Sequence, residues 1–311
     1  MELVHDLSAL AGLTGGGTSL AIGVFDGVHR GHQMLIERAA AAAARRELRC
    51  LVLTFTQHPL TLLAPPYAPP ALTSPREKAR LIGRHGAQIC AMIDFTVEFA
   101  ATAPLEFLDR VVAETCRARH LVCGEDFRFG ARGAGDIDLL RAQSGRLGYE
   151  VDVRAALQDG DQPIKSTRIR LCLYSGALEE ANRLLGRPYT LAGRVVEGER
   201  RGRTIGFPTA NLEPPARRLV PAGGVYAVRV RLHAEEAARG GMMNIGTRPT
   251  FGGERRTIEI HIFDFGGELY GVELEVMLLA RVREERRFES VEALAAQLRA
   301  DEETCRAMLG S

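Results

Sequence analysis

Two short segments of this 311-residue chain gather the residue types that phosphate chemistry needs. GVFDGVHRGH, Gly23–His32, sets two imidazoles, His29 and His32, three residues apart behind a turn relaxed by Gly23 and Gly27, with Phe25 between them. Histidines at that spacing can both face an anion and donate to oxygens whose charge grows as a phosphoryl group is displaced. GHQMLIERAA begins a helix there, whose exposed backbone N–H groups attract the same anion. The chemistry indicated is nucleotidyl transfer rather than hydrolysis; a pair of turn histidines or a surface metal site is the plainer alternative. GRTIGFPTANL, Gly202–Leu212, sets Thr209 and Asn211 two apart behind a proline that stiffens the chain. In an extended segment these two share a face, and their oxygens suit magnesium bound with nucleotide phosphates. Gly202 and Gly206 would let the backbone approach ATP, and a bare polar β-turn is the alternative. About 180 residues separate the segments, so two sites on two domains are expected.

Other residues extend each site. Asp26 could orient its turn by accepting backbone hydrogens or could bind magnesium, and the structural role is favoured. GEDFRFG puts Asp126 just beyond a strand, where a parallel sheet opens its ligand crevice. IKSTRIR offers Ser166, Thr167, Arg168 and Arg170 as hydroxyl and guanidinium donors to a triphosphate. In TIEIHIFDF the alternation places Glu259, His261 and Phe263 on one face. Glu259 could take the proton of a hydroxyl that attacks a γ-phosphorus. NIGTRPTFGG contributes Arg248 and a glycine turn at a substrate mouth.

The elements that must position these residues differ between the halves. SLAIGVF, HQMLIERAAAAAARREL and CLVLTF read as strand, helix and strand, the order of a parallel sheet with crossover helices, and the alternation continues to about Tyr174. PLTLLAPPYAPPALTSPREK interrupts it with prolines and is expected as a loop or lid. SGALEEANRLLGRP closes the first half, which puts the domains at 1–182 and 183–311. Beyond it, GVYAVRVRL, RTIEIHIFDF and YGVELEVMLLARV are β-like runs between glycine turns, expected as an antiparallel barrel or sandwich. The last amphipathic helix, capped by Ser290, is expected to cover the barrel's open side.

Composition excludes more than it selects. Lys plus Arg number 40 against 39 Asp plus Glu, a net charge of +1, which gives no electrostatic case for nucleic acid. No stretch approaches the roughly 20 apolar residues of a membrane helix, and no secretory leader is visible, so a cytoplasmic protein is expected. The six cysteines show no paired metal spacing.

In order, GVFDGVHRGH, LTFTQHP, GEDFRFG and STRIR resemble the adenylyltransferase half of the bacterial bifunctional riboflavin kinase and FAD synthetase family, over nearly all of residues 15–175. LGRPYTLAGRVVEGERRGRTIGFPTANL, NIGTRPTFGG, EIHIFDF, LYG and Arg283–Phe288 resemble its riboflavin kinase half over about residues 183–306. The resemblance implies an α/β Rossmann-like nucleotidyltransferase domain followed by a six-stranded antiparallel β-barrel with a C-terminal helix. It also implies that His29 and His32 steady ATP phosphates, that Asp126 is an ATP or flavin ligand, and that Ser166, Thr167 and Arg170 complete that site. Thr209 and Asn211 would hold magnesium and phosphate, Glu259 would be the base, and Arg283 and Arg287 would give flavin contact or structural support. ATP and Mg2+ are then the cofactors, and riboflavin, FMN and FAD are substrates or products. The partners are small molecules, and a weak or transient homo-oligomer is left open. One departure stands out: Lys165 occupies a place where such chains carry a small residue, commonly Ser. It could attract phosphate or block a tight turn, so a kinase with an impaired adenylyltransferase domain is the nearest alternative. A flavin sensor without catalysis is the more remote one.

Overall fold

A computed structural model gives the structure of the chain and describes residues 1–198, 206–232, 237–250 and 253–310; side chains of 248–250 and 253–255 lie outside that description. The chain divides into two compact units, Met1–Ser166 and Thr167–Ser311.

The first unit is built on strands β1 (Glu2–Val4), β2 (Thr18–Ile22), β3 (Arg49–Phe55), β4 (Ile89–Ile93), β5 (Ala118–Gly124) and β6 (Glu150–Arg154). They form one sheet in the order β1-β4-β3-β2-β5-β6, with every pairing parallel. Alternate residues feed two cores. Leu20, Ile22, Leu51 and Leu53 pack with Phe107 and Leu140 on one face, while Ala21, Cys50 and Val52 pack with Ile36, Ala39 and Ile82 on the other. A parallel sheet covered on both faces needs apolar side chains in both directions, hence runs such as Leu51, Val52 and Leu53. The strand order reverses at β2, whose neighbours are β3 on one side and β5 on the other. The crevice at the carboxyl ends of β2 and β5 is therefore the topological switch point.

The proline-rich stretch is not wholly a loop. Leu60–Leu63 makes one helical turn, Pro65–Tyr67 a tighter one, and Pro75 opens the helix Pro75–Arg84. Proline is welcome at a first helical position, where its missing N–H costs nothing, and Ser74 caps the helix by accepting from Glu77 N.

After a two-stranded ribbon, β7 (Gln158–Asp159) and β8 (Gln162–Pro163), the second unit forms a closed antiparallel barrel. Its strands are β9 (Tyr189–Val196), β10 (Ala210–Glu213), β11 (Gly224–Leu232), β12 (Arg239–Thr250), β13 (Gly253–Ile262) and β14 (Glu273–Arg283). Tyr226, Met243 and Ile260 stand side by side on one face of adjacent strands, and Ala227, Met242 and His261 on the other. Because the barrel closes, its final helix, Val291–Leu309, has no open side to cover. Cys305 and Leu309 pack instead on Ala227, Met242 and Phe263. Arg283 clamps the helix through a two-pronged ion pair with Asp301, which is 2% exposed. All six cysteines are free and buried, and burial pushes the thiols of Cys50, Cys90, Cys116, Cys123 and Cys305 up to about 12, which keeps them protonated and unreactive.

Candidate active sites

The first site begins with a strained turn. Phe25 and Val28 have φ of 49° and 39°, in the left-handed region that side chains avoid, and Gly27 has φ of 84°. Each such non-glycine residue costs about 1–3 kcal/mol and persists only where its surroundings over-determine it. Here they do, because both side chains are fully buried among Ile36 and Ala39. Gly23 is small because a side chain would meet the Phe25 ring at 3.2 Å.

Polar contacts fix the rest of the turn. The buried Asp26 carboxylate accepts from Leu72 N at 3.0 Å and from the backbone and hydroxyl of Thr73 at 3.2 Å. Thr73 Oγ1 in turn accepts from Gly27 N. Asp26 thus ties the turn to the segment before the helix Pro75–Arg84, and it does not appear among the residues lining the cavity described below. From that helix Lys78, 4% exposed, donates to Phe55 O at 2.7 Å and Val24 O at 3.2 Å. Burial lowers the pKa of its ammonium, against the pull of Asp26. Thr54 Oγ1 also donates to Val24 O. Sequence reasoning missed Lys78; its signal was a lysine on the apolar face of PREKARLIGR, where it reads as an ordinary solvated charge.

The turn delivers His29 to the helix cap. His29 is the residue before the helix Arg30–Arg45, and its Nδ1 accepts from His32 N at 3.3 Å. An accepting Nδ1 places the proton of the neutral ring on Nε2, which makes that nitrogen a donor. The His29 and His32 rings stack, with centroids 3.6 Å apart, and Phe25 meets His32 edge-on.

A cavity of about 1020 Å³ opens at this place, lined by Gly23, Phe25, His29, His32, Asp126 and Ser166 together with an aromatic wall. In that wall Phe55, Phe95 and Phe99 meet edge-to-face at 5.1 to 5.8 Å, and Phe107 continues to Phe129. Such a wall suits a planar heterocycle. The aromatic residues were the second omission of the sequence reading, since Phe55 ends β3, Phe95 follows β4, and Phe99, Phe107 and Phe129 come from three further segments. Ser166 Oγ donates to Asp26 O at 2.9 Å, so the segment around Lys165 folds onto the turn and is not blocked. Thr167, Arg168 and Arg170 continue the helix Ser166–Ser175 in the second unit, where Arg168 is paired with Glu180 at 2.6 Å and Arg170 is buried.

The second site is a row across three strands. Asn211 on β10 stands opposite Glu259 on β13, and Glu259 stands opposite Asn244 on β12. All three are half-buried on the face away from Ile258 and Ile260, which fill the barrel. Asn244 is a third residue the sequence did not single out, because its partner lies 15 positions away in a register no motif reveals. His261, two residues from Glu259 on the same face, contacts Pro208 O through Nδ1 at 2.8 Å and so holds the segment that presents Thr209. Gly198 is small because a side chain there would collide with the Asn211 amide. Gly206 has φ of 84° and turns the chain into this segment. Gly202 lies outside the described residues, and Arg248 is described only through its backbone, paired with Arg255. Of the two roles open to Arg283, its contact with Asp301 is structural support; Arg287 is exposed.

Thr209 and Asn211 offer neutral oxygens two residues apart, and the described residues contain no group of three or more His, Cys, Asp or Glu able to hold a metal. This donor set fits Mg2+, which takes few protein ligands and completes its shell with waters and substrate phosphates.

Comparison with known proteins agrees with this division. Residues 14–168 match the FAD synthetase family and residues 185–309 the riboflavin kinase family. A bifunctional riboflavin kinase/FMN adenylyltransferase of Escherichia coli K12 is 39% identical over all of this chain and 98% of its own. One from Listeria monocytogenes is 40% identical over 93% of this chain and 91% of its own. A crystal structure described as a macrolide-efflux protein from Streptococcus pneumoniae matches over 98% of both chains, with a TM-score of 0.86 and 35% identity. That description belongs to that protein; among the described residues here no helix is long and apolar enough to cross a membrane. The chain belongs to the bifunctional riboflavin kinase/FMN adenylyltransferase family.

Proposed function

We propose that residues 183–311 phosphorylate riboflavin with ATP to give FMN, and that residues 1–182 transfer AMP from a second ATP to FMN, giving FAD and pyrophosphate. The observation that carries the reading is the pairing of Asn211 with Glu259 across β10 and β13, which sets a phosphate-side amide beside a carboxylate.

In the kinase step the ribityl 5′-hydroxyl oxygen forms a bond to the γ-phosphorus as the bond to the β-phosphate bridge breaks, and ADP leaves. Glu259 accepts the hydroxyl proton. Thr209 and Asn211 would hold Mg2+, which when bound neutralises phosphate charge. His261 keeps Pro208 in place, so that Thr209 meets the phosphates at a fixed point.

In the adenylyl step an oxygen of the FMN phosphate bonds to the α-phosphorus of ATP, and pyrophosphate leaves with the electron pair of the broken bridge. The helix N-terminus and the donors of His29 and His32 stabilise charge that grows on the phosphate oxygens. The aromatic wall around Phe99 orders the flat rings, and Asp126 and Ser166 stand at the rim as ligands. No covalent enzyme intermediate is needed, because positioning and charge stabilisation suffice. The reading places the protein in the cytoplasm, with small molecules as its partners.

A chromatographic time course with riboflavin, ATP and Mg2+, repeated with FMN supplied directly, tests the reading. FMN followed by FAD is the expected result. FMN that accumulates without FAD in both runs would leave only the kinase, and flavin bound but unchanged would leave only a sensor.

A further inference from the structure

Lys165 stands between two residues that grip the phosphate turn. The carbonyl of Ile164 lies 3.7 Å from where a side chain on Gly31 would begin, and Ser166 is bonded to the Asp26 carbonyl. The backbone of position 165 is therefore fixed beside the first turn of the helix Arg30–Arg45. Its side chain is not held in the same way. It is 52% exposed, and its Nζ lies 3.2 Å from the carboxylate of Asp126, which is 74% exposed. Both residues line the cavity that His29 and His32 line.

An exposed ion pair favours contact over separation by about fivefold at most, so Asp126 is a weak keeper. A polyphosphate seated at the helix N-terminus offers the same ammonium a denser negative charge, and the flexible four-carbon stem of lysine allows the exchange. A lysine lost from this place would leave the Asp126 carboxylate facing the anion without a counter-charge.

We propose that Lys165 is a positioning residue that changes partners: it covers Asp126 until a nucleoside triphosphate binds, then passes to the polyphosphate and frees the Asp126 carboxylate to accept a hydrogen bond from the bound nucleotide or flavin. The proposal rests on the adenylyltransferase reading of this cavity and adds a polyphosphate contact to it.

Pyrophosphate with Mg2+, titrated calorimetrically into the full chain, is the probe. The signal that survives in H32A measures binding elsewhere and is subtracted. K165S should bind pyrophosphate about tenfold more weakly, K165R should recover most of that loss, and K165S/D126N should recover part of it by removing the bare carboxylate. The fall of affinity with salt should be shallower for K165S, and its loss in FAD formation should lie in the KM for ATP; a purely structural role moves neither. The unfolding midpoint of each variant serves as the control for folding. Unchanged or tighter pyrophosphate binding by K165S would overturn the proposal, as would a double variant weaker than K165S alone. If the unaltered chain binds no pyrophosphate above the H32A signal and makes no FAD from FMN, the adenylyltransferase reading itself fails.

Discussion

The candidate phosphate site of the first unit hangs on a turn, whereas that of the second lies along strands. The turn from Gly23 to His29 holds Phe25 and Val28 in strained backbone, and buried groups beneath it, Asp26 and Lys78, resist the strain. The row Asn211, Glu259 and Asn244 carries no such strain, because antiparallel pairing alone brings the three side chains to one face. Position in the first site therefore depends on contacts far apart in sequence, and in the second on a register that one-residue slippage would destroy.

That contrast can be broken at several points. The largest effect is expected for E259Q, which should slow FMN formation by about 10²- to 10⁴-fold, since it removes the proton acceptor and keeps the strand pairing; rates with riboflavin and with FMN as substrates check it. H32A should slow FAD formation from FMN by about 10²- to 10³-fold, the cost of one donor to developing charge. K78M tests the support beneath the turn. Leaving Phe55 O without its donor should cost about 1–3 kcal/mol, read as a lower unfolding midpoint together with slower FAD formation. A barrel site independent of this turn should keep its rate of FMN formation.

How far each site could be read from sequence follows from the same difference. Asn211 and Glu259 were legible because an alternating strand declares its faces, and Thr209 lies one residue before β10. Asn244 was not, because register joins it to Glu259. His29 and His32 were legible as a pair near a helix start, but the cap made by His29 and the stacking of its ring are properties of the turn. Lys78 was hidden for a physical reason: a buried ammonium and a solvated one look alike in a helix, and only the carbonyls of Val24 and Phe55 tell them apart. The two fold classes were legible from texture, whereas the seat of the last helix was not, since barrel closure depends on the pairing of β9 with β14.

The smallest expected effect concerns His120 on β5, whose buried ring lies between Ser19 Oγ at 2.9 Å and Asp152 at 3.9 Å. Burial, with Arg46 nearby, lowers its pKa below the ordinary 6.5, although Asp152 and Glu150 oppose the shift. The stability owed to its neutral ring is fully present above pH 6.5 and is lost as pH falls toward the depressed folded value. H120N should therefore show a shallower decline in unfolding midpoint on acidification, and an unaltered slope would contradict this.

Two separate sites that share only a released intermediate make the central claim, and mixing variants tests it most directly. Neither E259Q nor H32A should convert riboflavin to FAD at an appreciable rate, whereas an equimolar mixture should, as FMN made by H32A is taken up by E259Q. FAD formed readily by either variant alone, or none formed by the mixture, would contradict the claim.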